Sequence, residues 1–483
     1  MNEPQSAPEG AAPAPRRVLK APRPVAAAIQ HGTLFLPCAA GVEPFLLAEC
    51  HRLLPAGTVV ETGRGGVYVD GTLADAMRLN LGSRLAQRVL WQVAEGGYYD
   101  EHDLYALARR VRWQDWITPR HTLRVDASAW RSPLRSLNFA GLRIKDAVCD
   151  TLRDACGERP SVDTRFPDLA LVLHLGPEHA SLSVDLSGEA LFKRGWREVK
   201  GEAPLKETLA AAMLAAAGWH GREEDGGLLD PCCGAGTIAI EAAQIACGVA
   251  PGLQRRFAFE KLLPFRDQLA TWRELRQQAE AAVHAPAVPV WAGDVSFRMT
   301  DFATRNAERA GVARHIEFKT ADALQRPAPG GHGTLIMNPP YGERIAPKGQ
   351  GSGRHGEPFG ARGHERGARH AEEDFAVMQG ERFEGAADAG DFYARLAAHW
   401  KRQYGGWTAW VLTPEARLPS LMRLKESRRV PMWNGAIECR LFRFDLVTGS
   451  MRKETGDEPE SSTAPMAAPH PGHDAGWQRP AGG

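Results

Sequence analysis

The clearest chemical signature in the sequence is the tetrapeptide Asn338–Tyr341, Asn-Pro-Pro-Tyr, which follows the apolar run Thr334–Met337. Proline lacks a backbone N–H and has a fixed backbone, so the Asn338 side-chain oxygen and the Pro339 carbonyl become two directed hydrogen-bond acceptors. Two such acceptors can hold both protons of an exocyclic amino group and turn its lone pair towards an electrophile. Tyr341 can stack on a base that has left its duplex. The predicted catalytic set is Asn338, Pro339, Pro340 and Tyr341.

A glycine loop earlier in the chain predicts what supplies the electrophile. The segment Leu228–Thr237, LLDPCCGAGT, has the pattern of a buried strand, a turn through Gly234 and Gly236, and the start of a helix. Such loops bind nucleotide-like ligands, because glycine lets the backbone approach closely and the helix offers free N–H groups. The loop lacks the third glycine of a dinucleotide fingerprint and the Gly-Lys-Ser/Thr of a phosphate loop. Asp230 would repel a pyrophosphate but suits an ammonium group, which indicates S-adenosylmethionine as the cofactor.

Acidic residues at the ends of the next two predicted strands extend this site. Asp294 closes the strand Val288–Val295, and a carboxylate there can accept hydrogen bonds from ribose hydroxyls. Asp322 follows the strand Ile316–Thr320 and is placed to contact an adenine amino group. Either acid alone reads equally well as a turn residue, but their placement after successive strands favours cofactor contacts. Asp294 lies much farther from Asp230 than the usual ~20 residues, so residues 251–285 are predicted to be a largely helical insertion.

The elements that must position these residues divide the chain into two halves. From about Gly201 onwards, strands alternate with helices, which predicts an α/β fold with a parallel sheet covered by helices on both faces. Before that point the pattern predicts an α+β region with an antiparallel sheet. Its clearest elements are a strand over Thr122–Trp130, a helix over Phe139–Gly157, and a strand pair over Leu169–Gly176 and Ala180–Gly188.

Composition narrows the class of protein. The 483 residues are 43% hydrophobic with a formal net charge of +1, which fits a soluble protein of two or three domains. The eight cysteines form no Cys-x-x-Cys pair, so the sequence predicts no metal site, and their scatter fits a reducing, cytoplasmic location. No apolar run approaches the length of a membrane span. Biased composition predicts disordered tails over 1–27 and 449–483 and a flexible insertion over 346–390.

Six stretches of the sequence resemble the THUMP-domain RNA guanine-N2 methyltransferases, and in particular the 23S rRNA (guanine-N2) methyltransferases of the guanosine-2445 type. The resemblance covers about residues 33 to 447, apart from the insertion. The Asn-Pro-Pro-Tyr motif is shared with DNA amino-methyltransferases, and the other stretches make the resemblance specific. They are DPCCGAGT at 230–237, ADA at 321–323, NPPYGERI at 338–345, GLRIKDAVCD at 141–150, LSGEALFKRGWR at 186–197 and APLKETLAAAM at 203–213.

The resemblance implies a domain order and a role for each site residue. It implies a ferredoxin-like piece over 32–74, a THUMP RNA-binding domain over 75–190, and a Rossmann-like class I methyltransferase domain over 200–448. The fused second methyltransferase of some members is not expected. Two departures are Ala235, where the family usually has serine, and Ser296, where it usually has a second acid. The implied cofactor-binding residues are Asp230, Cys233, Gly234, Gly236, Asp294 and Asp322.

A basic stretch over residues 109–145 is the predicted RNA contact. It holds nine basic and two acidic residues, with Trp113, Trp116 and Trp130 interleaved. On charge alone, a solvated face with core tryptophans is the slightly better reading, and the family resemblance reverses that preference. The predicted RNA-binding residues are Arg109, Arg110, Arg112, Arg143 and Lys145.

The predicted function is therefore S-adenosylmethionine-dependent methylation of a guanine N2 in 23S rRNA. The substrate is either the free RNA or a large-subunit assembly intermediate, with no membrane partner. Three alternatives stay open: a tRNA guanine-N2 methyltransferase, a DNA adenine-N6 methyltransferase, and a non-catalytic RNA-binding factor in ribosome assembly. The THUMP-like half disfavours DNA, and the intact motifs disfavour the loss of catalysis.

Overall fold

The computed structural model describes residues 29–197, 205–339 and 386–447, with side chains from residue 390 in the last range. In this part of the chain the strands form two sheets, one in each half of the sequence. Every helix in these ranges is too short or too polar to cross a bilayer. The same residues contain no group of three or more His, Cys, Asp or Glu side chains arranged to hold a metal ion.

The first sheet has the strand order β2-β3-β1-β4-β8-β7-β5-β6. Its strands are β1 (His31–Pro37), β2 (Val59–Gly63), β3 (Gly66–Thr72), β4 (Leu90–Gly97), β5 (Thr122–Ala129), β6 (Ser161–Val162), β7 (Leu169–Leu175) and β8 (His179–Asp185). The helices of this half are α1 (Glu43–Leu53), α2 (Leu73–Gly82), α3 (Glu101–Arg109) and α4 (Leu137–Cys156). The predicted α+β class is confirmed, as is the predicted antiparallel pair β7–β8.

One strand of the first sheet departs from the antiparallel pattern that the sequence predicts. β5 runs parallel to both β7 and β6. The physical reason is the connection, because α4 carries the chain back across the sheet and a parallel neighbour requires such a crossover. α4 begins where the Ser136 hydroxyl accepts a hydrogen bond from the Phe139 N–H, and ends at Gly157, which has a φ of +84°.

The second sheet has the strand order β11-β10-β9-β12-β13-β15-β14. The first five strands in that order are parallel, and β15 and β14 complete the sheet as an antiparallel hairpin. The strands are β9 (Gly227–Asp230), β10 (Val290–Asp294), β11 (Ile316–Thr320), β12 (Gly333–Met337), β13 (Trp407–Thr413), β14 (Arg428–Asn434) and β15 (Ile437–Asp445). The helices are α5 (Glu207–Ala217), α6 (Thr237–Ala246), α7 (Leu269–Ala281), α8 (Phe297–Arg309), α9 (Ala386–Gln403) and α10 (Leu418–Met422).

Successive residues of β9 face opposite sides of the second sheet, and both sides are covered. Leu228 packs in the larger core cluster together with α5, α6 and α8. Leu229 packs in the other cluster, with Leu396 and Trp400 of α9. A strand buried on both faces must be apolar throughout, as this one is, and the predicted arrangement of helices on both faces is confirmed.

The insertion between α6 and β10 joins the two halves of the molecule. It contains short 3₁₀ turns followed by α7, so its helical character is confirmed mainly for Leu269–Ala281. Four of its backbone N–H groups donate to carbonyls of the first half. These bonds are Gly252 to Leu81 at 2.9 Å, Ala258 to Ser187 at 3.4 Å, Phe259 to Leu186 at 3.0 Å, and Leu263 to Trp116 at 3.0 Å.

Candidate active site

The strand order of the second sheet brings three of the predicted site segments to one edge. β9 lies between β10 and β12, with Asp230 opposite Ala292 on one side and Leu229 opposite Leu335 on the other. All three strands are parallel, so the residues that follow them meet at their carboxyl ends. The glycine loop after β9 therefore lies between Asp294 at the end of β10 and Asn338 just beyond β12.

The two glycines of the loop serve different physical needs. Gly236 has a φ of +85°, and a Cβ atom added there would lie 2.9 Å from the Cβ of Ala303 in α8. The loop can therefore pack against α8 only because residue 236 has no side chain. Gly234 has a φ of +51°, but an added Cβ would meet only the Met299 methyl at 3.9 Å. The space beside Gly234 is open, as a site for a ligand against the backbone requires.

Asp294 ties the glycine loop to β10. One of its carboxylate oxygens accepts the Gly234 N–H at 3.0 Å, and the other accepts the Ser296 N–H at 3.0 Å. The loop is also held by the Cys233 N–H, which donates to the Gly293 carbonyl at 2.7 Å. The contribution of Cys233 in this structure is thus backbone alignment, and the buried thiol lies beside it.

Burial disfavours the charged forms of two carboxyl groups in this site. Asp230 is 1% exposed and accepts one hydrogen bond, from the Cys232 N–H at 3.3 Å. Burial raises the pKa of Asp230 well above its usual range, and the nearby Asp294 raises it further. Burial also raises the pKa of Asp294, although its two backbone hydrogen bonds oppose the shift. Two desolvated carboxylates at the carboxyl ends of neighbouring strands fit a ligand that carries positive charge, as S-adenosylmethionine does.

The adjacent thiols do not supply a nucleophile. Burial raises the pKa of Cys232 and of Cys233 well above the usual range, and the neighbouring aspartates raise it further. A thiol needs a lowered pKa to react as a thiolate near neutral pH. The pair is therefore part of the wall of the site.

The end of β10 carries exposed apolar residues that the sequence analysis did not single out. Val295 and Phe297, at the first and third positions after Asp294, are 58% and 75% exposed. Exposed apolar side chains next to a strand-end acid offer a surface for a flat purine ring. The signal in the sequence is the presence of apolar residues at these two positions. Asp322, which follows β11, is half-buried, and its carboxylate accepts the Leu324 N–H at 2.8 Å.

The proline loop is described only in its first half. Asn338 is half-buried and Pro339 is buried, and both directly follow β12. Pro340 and Tyr341 lie outside the described residues, as do residues 346–385 of the predicted insertion, whereas residues 386–390 belong to the start of α9. Their predicted roles remain predictions.

Two arginines of the stretch 186–197 hold the helix of the cofactor loop in place. Arg197 bonds Glu207 of α5 at 2.7 Å and the hydroxyl of Thr237, the first residue of α6, at 2.7 Å. Arg194 bonds Glu241 of α6 at 3.1 Å, and the same carboxylate accepts from Arg84 of the first half at 3.1 Å. Glu241 is fully buried, so these ion pairs fix α6, and with it the glycine loop, against the rest of the molecule.

The predicted RNA-binding residues lie on and next to α3 and α4, and most of them have partners. Arg109 pairs with Asp154 at 2.9 Å, Arg112 with Asp115 at 2.9 Å, and Lys145 with Asp146 at 2.8 Å. The Arg143 guanidinium lies 4.7 Å from the ring centroid of Tyr105. Arg110 is exposed and forms no ion pair within the described part of the chain. The contact of these residues with RNA remains a prediction.

Three family descriptions match successive parts of the chain. Residues 33–90 match an RlmL ferredoxin-like domain, residues 98–185 a THUMP domain, and residues 194–353 an RMKL-like methyltransferase domain. The third range contains the glycine loop, the three strand-end aspartates and the proline loop.

Curated relatives and solved structures give the same picture. The ribosomal RNA large subunit methyltransferase K/L of Shewanella sp. (strain MR-4) is 33% identical over 85% of this chain and 53% of the relative. The protein of the same name from Syntrophotalea carbinolica is 38% identical over 84% of this chain and 52% of the relative. The chain thus spans about half the length of these relatives. A crystal structure from Listeria monocytogenes, described as a predicted N6-adenine-specific DNA methylase, matches with a TM-score of 0.70 and 25% identity, over 86% of this chain and 96% of that one.

Proposed function

Since the chain belongs to the THUMP-domain methyltransferase family of the RlmL type, we propose that it methylates RNA with S-adenosylmethionine as the methyl donor. The proposed target is the exocyclic N2 of a guanine in 23S rRNA, and guanosine 2445 is the position that the family resemblance indicates. The proposed setting is the cytoplasm, with free rRNA or a large-subunit assembly intermediate as the substrate.

One observation carries this proposal: the residues predicted to bind a cationic cofactor and those predicted to bind an amino group follow neighbouring parallel strands. The buried Asp230 stands between Asp294 on β10 and the Asn338–Pro339 pair after β12, because β9 pairs with both strands. A site built for a cationic methyl donor therefore opens next to two oxygen acceptors suited to an amino group. The THUMP match over 98–185 and the curated names of the relatives favour RNA over DNA.

The residues of the chain position the two reactants and do little acid–base chemistry. The cofactor supplies a methyl group on a positively charged sulfur. Asp230 and the loop backbone would hold its amino-acid end, and Asp294 would hold its ribose. The Asn338 side-chain oxygen and the Pro339 carbonyl would hold the two amino protons and direct the nitrogen towards the methyl group. Positioning would be the main contribution of these residues, and the methylated amine would release one proton to water.

Methyl transfer to a panel of nucleic acids tests the proposal. Radiolabelled S-adenosylmethionine is offered with protein-free 23S rRNA, 16S rRNA, tRNA and DNA, and the labelled nucleoside is identified. We expect N2-methylguanosine in 23S rRNA alone. Label in tRNA or as N6-methyladenine in DNA would replace the proposed substrate by that one. If the cofactor binds but no substrate is labelled, including large-subunit assembly intermediates, the protein is a binding factor and not an enzyme.

The substitution Asn338→Ala tests the proposed amine site. We expect methyl transfer to fall by about 10²–10³-fold, because one of two directed acceptors is lost. The dissociation constant for S-adenosylmethionine should stay within about 2-fold, because the affected group addresses the base. Gln278→Ala, which removes an exposed amide on α7, is the control and should change neither value. Near-normal turnover by Asn338→Ala would refute the assigned role.

A further inference from the structure

The three tryptophans of the basic stretch differ sharply in burial. Trp113 and Trp116 are 0% and 3% exposed and belong to the core, whereas Trp130 is 40% exposed. Trp130 follows the end of β5, at the edge of a loop that leads to α4. A large aromatic side chain held at the surface has apolar area available for a partner.

Two arginines from different parts of the chain stack on this tryptophan. The guanidinium carbon of Arg64, in the turn between β2 and β3, lies 3.8 Å from the ring centroid of Trp130. The guanidinium carbon of Arg131 lies 4.8 Å from it. Neither arginine forms an ion pair with an acidic residue anywhere in the described ranges. We call Arg64, Trp130 and Arg131 the arginine–tryptophan platform.

The platform is held rigidly by the sheet beneath it. The Trp130 N–H donates to the Leu175 carbonyl at 2.8 Å, so its backbone continues the pairing of β5 with β7. The hydroxyl of the buried Tyr98 lies 2.7 Å from the Ser132 hydroxyl and donates to the Gly176 carbonyl at 2.6 Å. Arg131, between these anchors, has a φ of +56°, which is rare for a residue with a side chain. Such a backbone persists only where its surroundings hold it.

The surface around the platform is positively charged. Residues 127–136, from the end of β5 to the start of α4, include two basic residues, Arg131 and Arg135, and no acidic one. Arg135 is exposed within this range and forms no ion pair within the described part of the chain. The positive charge complements a phosphate backbone, and planar indole and guanidinium groups match the faces of unpaired bases.

We propose that the arginine–tryptophan platform binds an unpaired segment of the substrate RNA, with a base stacked on Trp130 or its flanking guanidinium and the two arginines contacting phosphates. The inference rests on the proposed function for the identity of the substrate. It assigns the RNA contact to a surface shared by the β2–β3 turn and the end of β5, separate from the α3–α4 residues predicted from the sequence. Duplex RNA offers no free base face, so the platform discriminates between single-stranded and paired RNA.

Binding of a fluorescein-labelled single-stranded RNA 12-mer, and of the same strand in a duplex, tests the proposal. With Trp130→Ala we expect at least about 10-fold weaker binding of the single strand, because base–aromatic stacking is lost. Duplex binding should change by less than about 2-fold. Trp130→Phe, which keeps a stacking ring, should restore most of the affinity. Phe166→Ala, which removes another exposed aromatic residue, is the matched control and should bind like the wild type.

The dependence of affinity on salt separates stacking from charge. Trp130→Ala should leave the slope of log affinity against log salt unchanged, because no charge is removed. Arg64→Ala and Arg131→Gly should each lower its magnitude by about 0.7, the value for one phosphate contact with a single strand. Glycine is chosen at position 131 because it tolerates the positive φ without strain. Arg273→Ala, at an exposed arginine of α7, is the control for loss of charge at another place.

The outcomes separate this inference from the proposed function. Unchanged single-strand affinity in Trp130→Ala, with the wild type methylating RNA, overturns the platform and leaves the function standing. Loss of affinity in Trp130→Ala, with no methyl transfer by the wild type to any RNA, supports the platform and overturns the function. Equal losses of single-strand and duplex affinity would overturn the stacking role, and circular dichroism of each variant excludes unfolding as the cause.

Discussion

At the scale of single residues, a buried carboxyl group that suits a cationic ligand also lowers the stability of the ligand-free protein. Asp230 is buried with one backbone hydrogen bond, and its raised pKa means that folding disfavours its charge. A carboxyl whose pKa is raised by folding lowers stability as the pH rises from its unfolded value, about 3.9, through its folded value. This cost in the cofactor-free protein therefore grows through that pH window and is complete only above the folded pKa. A cationic ligand would offset it.

The substitution Asp230→Asn separates these two effects. We expect the melting temperature of the cofactor-free protein to rise by a few degrees at pH 7, because the amide keeps the shape of the carboxylate without its charge. Affinity for S-adenosylmethionine should fall by about 10-fold or more, since a buried charge partner is lost. Differential scanning fluorimetry with and without the cofactor measures both. Asp126→Asn, at an exposed ion pair with Arg124, is the control and should change neither. A lower melting temperature in Asp230→Asn would contradict the assigned strain.

The same raised pKa values predict how cofactor binding depends on pH. As the pH falls, Asp230 and Asp294 take up protons at a higher pH than ordinary aspartates, because burial disfavours their charged forms. Affinity for S-adenosylmethionine should therefore fall with decreasing pH before the usual aspartate range near ~3.9 is reached. S-adenosylhomocysteine keeps the ammonium that Asp230 is proposed to hold and the ribose that Asp294 is proposed to hold, so its affinity should fall over the same pH range. Calorimetric titrations of both ligands across pH measure this, and affinities that stay constant down to about pH 4 would contradict the raised pKa values.

Sequence reasoning predicted which residues lie at the carboxyl ends of β9 and β10 and just after β12. It did not predict the ion-pair partners of the basic residues. Glycine, aspartate and Asn-Pro-Pro patterns are local, and parallel strands necessarily bring their ends together. Ion pairing is not local: Asp146 and Asp154, which neutralise Lys145 and Arg109, lie just beyond the basic stretch that was counted. The burial of the tryptophans could not be predicted either, because the sequence does not show which of Trp113, Trp116 and Trp130 is exposed.

At the scale of elements, α6 depends on ions contributed by other parts of the chain. Glu241 lies on the face of α6 that meets Arg84 and Arg194, both of which precede α5 and α6 in the chain. The helix starts at the glycine loop, so its position sets the position of the loop. The arginines of the segment 186–197 therefore fix the position of the predicted cofactor site. This is a physical reason for that segment to occur together with the glycine loop.

The substitution Glu241→Gln should break this anchor. Two buried guanidinium groups would lose their charge partner, and we expect the free energy of unfolding to fall by about 3–5 kcal/mol. Urea unfolding followed by circular dichroism measures it. Glu189→Gln removes an exposed carboxylate that pairs with Lys193, and that control should cost about 0–1 kcal/mol. Equal small losses in both variants would show that the buried network adds no stability.

At the scale of elements, the wrong prediction concerned the direction of β5 relative to its neighbours, and its cause applies to any strand. Periodicity shows that a segment is a strand but not which neighbour it pairs with, so β5 was assigned to an antiparallel sheet although α4 returns the chain for a parallel pairing. The last three strands, β13–β15, received no prediction, because the biased stretch over 346–390 separates them from the motifs that defined the fold.

At the scale of the whole molecule, the two halves share one core. The larger hydrophobic cluster includes residues from Leu34 of β1 to Leu441 of β15. The insertion between α6 and β10 adds four backbone hydrogen bonds across the junction, and within the insertion Phe259 packs on Phe265 and Trp272. The half that contains the THUMP match is thus fixed relative to the carboxyl ends of β9 and β10, where methyl transfer is proposed. Such rigidity is what in-line positioning of a base requires.

The substitution Phe259→Ala tests whether the junction matters for function as well as for stability. The side chain is 1% exposed, so we expect a loss of about 3–5 kcal/mol in the free energy of unfolding. At a temperature where the variant remains folded, its affinity for S-adenosylmethionine should stay within about 2-fold, because the strand edge does not include Phe259. The kcat/KM for RNA should fall by about 10-fold or more, since small misplacements of a reacting group cost rate steeply. Phe444→Ala, a fully buried aromatic of β15 in the other core cluster, provides a control of similar destabilisation. If both variants lose kcat/KM equally, the effect follows from lost stability and the junction has no separate role in aligning the two halves.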